Sequence, residues 1–137
     1  MIPQDMTILH KPEEGKLGDC FRACLASLFH LETTEVPHFV ELPTGEWWDA
    51  TVAWVQERGW IPVYIEASDW IPPGWSIRCG HSPRGFTHSV ICLDGQMQHD
   101  PHPSQNGLVD TTGWMLFCPT ATTFITAITQ GHAAGSG

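Results

Sequence analysis

Residues 86–100, FTHSVICLDGQMQHD, carry two strand-like runs on either side of Asp94-Gly95. An Asp-Gly pair flanked in this way signals an antiparallel hairpin, because both residues tolerate the positive φ angles of a tight turn. The register then decides which side chains share a face. A strict two-residue turn pairs Asp100 with Ser89, on the opposite face from His88. A three-residue turn ending at Gln96 pairs Asp100 with Val90 instead, and makes His88 and Asp100 diagonal neighbours on one face. Asp100 also precedes Pro101, and Asp-Pro is a common turn dipeptide.

Outward from the hairpin, further short apolar runs read as strands: WIPVYIEA at 60–67, WSIRC at 75–79 and WMLFC at 114–118, broken by PPG, GHSPRG and PHPSQNG. Upstream the period changes. In DCFRACLASLFHL, 19–31, Cys20, Cys24 and Leu28 follow at four-residue steps beside Phe21 and Leu25, predicting an amphipathic helix with Asp19 as N-cap. Pro37 blocks any continuation. A second helix fits GEWWDATVAWVQERG, 45–59, with Trp48, Val52 and Val55 on one face, Trp47, Ala50 and Trp54 beside it, and Gly59 as its stop. TATTFITAITQ, 120–130, fits a short helix or a strand, and GHAAGSG reads as a flexible tail. Helices first and antiparallel strands second make an α+β fold, with N-terminal helices packed on an antiparallel sheet in one domain over 1–130 and a tail over 131–137.

The chain of 137 residues carries 15 acidic and 6 basic side chains, a formal charge of -9, and its few Lys and Arg form no positive stripe. Nucleic acid is therefore not an expected partner. The apolar runs are too short to span a bilayer, and the first residues, MIPQDMTILHKPEE, lack a signal pattern, so a cytoplasmic protein without a membrane partner is expected. Five cysteines, Cys20, Cys24, Cys79, Cys92 and Cys118, are an odd number in such a chain, and no disulfide framework is expected. Most read as small buried hydrophobes.

Cys20 differs because the first turn of a helix offers free N–H groups and the positive end of the helix dipole, which favour a thiolate. A helix that begins with Cys more often simply buries it. A thiolate nucleophile needs a base near neutrality, and His88 stands out among eight histidines because its strand would anchor it. Asp100 is the candidate to orient that imidazole. Cys79, His81, His99 and His102 could be read as metal ligands, but their spacing matches no common zinc module, and neither metal nor cofactor is expected. Trp70 and Trp75 flank PPG and could line a cleft.

Taken together, GDCFRACLASL followed by THSVICL and HDP resembles the papain-like cysteine peptidases that remove double-glycine leaders from bacteriocins. A DC-x-x-ACLASL helix followed by VPHF at 36–39 is closer still to small papain-like proteins encoded by bacteriophages. The resemblance covers the helix start and the hairpin. It implies Cys20 as nucleophile, His88 as base and Asp100 as orienting group, acting on a peptide or protein substrate through a thioester. Two positions depart from the pattern. The glutamine that helps form the oxyanion hole about six residues ahead of the nucleophile is matched by Glu14, and the glycine after it by Phe21. An ionised Glu14 would repel a developing oxyanion. The expected function is a cysteine-dependent peptidase or isopeptidase, with Asp19, Glu14, Trp70 and Trp75 near the oxyanion hole or cleft. The alternatives are a weak or inactive papain-like domain that binds a partner protein, and an acyltransferase or glutamine deamidase with the same triad. The oligomeric state stays open.

Overall fold

The computed structural model describes residues 1–43 and 45–135, the last five through their backbone alone. Over the described residues the fold is α+β, with three α-helices and a five-stranded antiparallel sheet. Helix α1 is Cys20–Phe29 and α2 is Trp47–Gln56; the strands are β1 Trp60–Glu66, β2 Trp75–His81, β3 Thr87–Leu93, β4 Gln96–His99 and β5 Gly113–Pro119, followed by α3 Ala121–Gly135. Across the sheet the order is β1-β5-β2-β3-β4, every neighbouring pair antiparallel.

The apolar period of α1 buries Phe21, Cys24 and Leu25. These pack with Trp54 and Val55 of α2 over Ile77, Ile91 and Met115 of the sheet, the main core. A second cluster, Val90, Cys92 and Trp114, takes the alternate residues of the same strands. Among the described residues no helix is long and apolar enough to cross a membrane.

Several expectations need correction. α1 stops at Phe29 because His30 turns left-handed, at φ 59, and ends the ladder. On α2 the buried line is Thr51, Trp54 and Val55, with Val52 only half-buried. Gly59 does close that segment, at φ 87. β2 runs on to His81, because Gly80 and His81 keep pairing with His88 and Thr87. The segment after Thr120 is a helix, and it continues through most of the supposed tail to Gly135; residues 136–137 lie outside the described residues.

Asp19 holds the N-cap position without capping α1. Its fully buried carboxylate instead accepts the Thr7 and Ile8 N–H groups, each at 2.9 Å, and the Thr7 hydroxyl at 2.6 Å. The first residues thereby become a strap. Gln4 N–H donates to Ser27 Oγ at 2.8 Å, Met6 N–H to the Pro101 carbonyl at 3.0 Å, and the Gln4 carbonyl accepts from His99 at 2.7 Å. The strap thus joins α1 to the end of β4.

Candidate active site

Two positive-φ residues, Asp94 at 51° and Gly95 at 80°, make the two-residue turn that the sequence signals, with Leu93 opposite Gln96 and Cys92 opposite Met97. That turn alone would set Asp100 on the wrong face. Between Cys92 and Ile91 the register shifts, so that Ile91 faces His99 and Gln98 is the extra residue of a β-bulge. Asp100 thereby falls in step with Val90, as a longer turn would have placed it.

His88 Nε2 lies 2.7 Å from Asp100 Oδ1, and both side chains are buried. The same carboxylate accepts the His102 N–H at 2.9 Å and, through Oδ2, the Gly107 N–H at 2.8 Å. The bond from His102, two residues on, is the Asx turn expected of Asp-Pro, so Asp100 both makes the turn and holds the histidine. Burial disfavours the carboxylate, but His88 and the two backbone donors outweigh it and hold the acid near 2. Burial likewise opposes the imidazolium of His88. Asp100 and then Cys20 overcome that effect, and the ring keeps its proton up to about 9. With Nε2 given to Asp100, Nδ1 is the nitrogen left for Cys20.

Cys20 is the first residue of α1 and only partly buried. Cys24 is fully buried, and burial, then Cys20, push its thiol well up. Burial also lifts Cys79 to about 11, partly offset by the Ser89 hydroxyl, and Cys92 to about 11, partly offset by Arg78. Cys118 is exposed on β5. The structure thus brings Cys20, His88 and Asp100 together at one place.

Cys20 and His88 line a cleft of about 940 Å³. Glu14 does not. It sits on an exposed 3-10 turn, Pro12–Glu14, 3.9 Å from both Lys11 and Lys16, so its charge faces water rather than the thiol. Trp70 and Trp75 are absent from the cleft as well. Trp75 begins β2, opposite Leu93 at the Asp94 turn, on the order of 20 Å along the strand from His81, and borders a smaller hollow with Trp60 and Phe117. Asp19 lies beneath the helix start, not in the cleft.

Two contributors escape the sequence reading. Gly107 lies in a loop whose composition signals only a turn. His10 lines the cleft and accepts the Gly18 N–H on Nδ1 at 3.1 Å, which leaves the ring hydrogen on Nε2. A Cβ on Gly18 would stand 2.9 Å from His10 Cβ, so glycine permits this close approach. No local motif marks His10, because the Lys11–Lys16 bridge loops the intervening residues out.

The candidate metal ligands diverge. Cys79 contacts Ser89, His81 binds Asp110 at 2.8 Å, His99 binds Gln4, and His102 binds Ser104 at 2.9 Å. Among the described residues no group of three or more His, Cys, Asp or Glu could hold a metal ion. No protein-family model, curated protein or solved structure matches this chain.

Proposed function

We propose that the protein is a papain-like cysteine hydrolase that cleaves an amide, as a peptidase or isopeptidase, with Cys20 as nucleophile. The observation that carries this reading is the buried His88–Asp100 bond at 2.7 Å beside a helix-initial cysteine in an open cleft. His88 holds its proton up to about 9, so an imidazolium stands beside Cys20 near neutrality, the kind of partner that favours a thiolate nucleophile.

In the first half-reaction the Cys20 sulfur bonds to the acyl carbon and the carbonyl becomes an oxyanion. The N–H groups at the start of α1 precede the first intrahelical bond and are free to receive that charge, and His10 Nε2–H is a second donor on the cleft wall. As the intermediate collapses, the C–N bond breaks, His88 protonates the departing amine, and a thioester stays on Cys20. Water then attacks the thioester while His88 takes its proton. The acid leaves and the Cys20–His88 pair regains its single shared proton. Asp100 touches no substrate; it holds the ring with Nδ1 toward the sulfur.

The test is turnover of a diverse library of peptidyl aminomethylcoumarins, with intact-mass detection of a thioester. Release that disappears in Cys20→Ala and His88→Ala supports the reading. If no substrate is turned over, and Cys20 is alkylated no faster than Cys118, the hydrolase reading fails and a binding function replaces it.

A further inference from the structure

The chemistry of the cleft wall selects among amide substrates. Its surface is mostly apolar, with Leu9, Leu17, Phe21, Trp48, Phe86 and Met115 among the walls, so it is suited to a bulky apolar group beside the reacting carbonyl. Its charge is the less expected property. The chain carries 15 Asp and Glu against 6 Lys and Arg, yet among the described residues no acidic one lines the cleft, while two of the six basic ones, Lys11 and Arg84, do.

The two cations differ. Lys11 already stands 3.9 Å from Glu14. Arg84 meets no carboxylate among the described residues, and its one side-chain bond is from Nη1 to Ser104 Oγ at 2.9 Å. Ser104 also binds His102 Nδ1 at 2.9 Å, and the His102 ring lies edge-on to His88 with centroids 6.1 Å apart. A guanidinium with unused donors is thus fixed one short chain of contacts from the reacting histidine. Its field reaches the cleft wall at His102, where after burial it is the next cause that lowers the imidazole pKa. Planar, forked donors of this kind suit a carboxylate.

We propose that the substrate carries an anionic group, a carboxylate of a peptide, close to its bulky apolar part, and that Arg84 reads that charge. The inference rests on Cys20 being the nucleophile of the hydrolase proposed above.

Alkylation kinetics of Cys20 test it without a known substrate. Iodoacetyl-phenylalanine and iodoacetyl-phenylalaninamide present the same ring and reacting carbon and differ only in the carboxylate, with exposed Cys118 of the same chain as the internal reference. Relative to Cys118, the amide probe should alkylate Cys20 faster than iodoacetamide does. The acid probe should exceed the amide by roughly three- to tenfold at low salt, the advantage shrinking toward 1 M salt as the charges are screened. In Arg84→Gln the acid-to-amide ratio should fall to about one, and in Arg84→Lys part of it should return. Equal rates for acid and amide in the parent, or an unchanged ratio in Arg84→Gln, overturn the inference while fast Cys20 alkylation leaves the hydrolase reading standing. Cys20 alkylated no faster than Cys118 by iodoacetamide overturns both.

Discussion

His88 and Asp100 meet at 2.7 Å although the two-residue turn between their strands would by itself place them on opposite faces of the sheet. The bulge residue, Gln98, reverses that assignment. Deleting Gln98 restores the strict register and turns Asp100 away from His88. The deletion variant should therefore alkylate at Cys20 as slowly as Asp100→Asn near neutral pH, whereas Gln98→Ala, which keeps the extra residue, should label like the parent. Parent-like labelling of the deletion variant would show that His88 does not need this carboxylate.

Asp100→Asn should cost stability as well as reactivity. The carboxylate accepts three N–H donors, and an amide of the same shape must turn its own NH₂ toward at least one of them. Leaving one buried donor opposed costs about 1–3 kcal/mol. Urea unfolding should register that loss, and Cys20→Ala should not share it. Unchanged stability in Asp100→Asn would mean that water reaches the site and satisfies the freed donor.

The pair also sets a pH window. Asp100 is held down to about 2, so its contribution is complete above its ordinary value of 3.8 and is lost as the pH falls toward 2. His88 is raised to about 9, so its contribution is complete below 6.5 and is lost as the pH rises through 9. Stability should be highest between about 4 and 6.5 and decline toward pH 9, with one more proton bound in the folded state than in the unfolded over that limb. Denaturant midpoints across pH measure this. The alkaline decline should vanish in His88→Gln, and its survival there would assign it to another group.

His10→Ala should lower Cys20-dependent turnover on the order of 10²-fold, as expected when one oxyanion donor is removed, with iodoacetamide labelling of Cys20 little changed. His10→Gln, which keeps an N–H donor, should recover part of the loss. Parallel falls in turnover and labelling would instead indicate that His10 only shapes the Gly18 approach.

Strap release is a third test of stability. Asp19→Ala removes a buried acceptor of three short hydrogen bonds and the carboxylate 3.5 Å from Arg22, and should destabilise the chain by about 2–4 kcal/mol, with early proteolytic cleavage in residues 1–10. Resistance of that segment to protease in the variant would show that the strap is held by its other bonds.

Legibility followed the range of the forces. α1, α2 and the hairpin could be read because dense apolar spacing and an Asp-Gly pair act over a few residues. The last two residues of β2 could not, since Gly80 and His81 pair only because His88 and Thr87 lie opposite. α3 stayed ambiguous because Thr-rich TATTFIT suits helix and strand alike. Asp19 reads locally as a cap, but the N–H groups that bind it come from a strap eleven and twelve residues away. Residue type alone suggests a cleft role for Trp70 and Trp75; neither borders the cleft, and for Trp75 it is the direction of β2 that sets it at the far end. The bulge at Gln98 answers to His102 and Gly107 beyond the strand, and nothing in QMQHD announces it.

The strap and the hairpin also put the site on a clock. During synthesis Cys20 leaves the ribosome well before its partners: Asp100 follows 80 residues later, roughly 4–16 s at about 5–20 residues per second. Until then Gln4 and Met6 lack His99 and Pro101 to bind, and the ten residues of α1 are too short to hold a helix alone. Throughout that interval the nascent cysteine lacks both the imidazole and the helix end that the proposed attack requires.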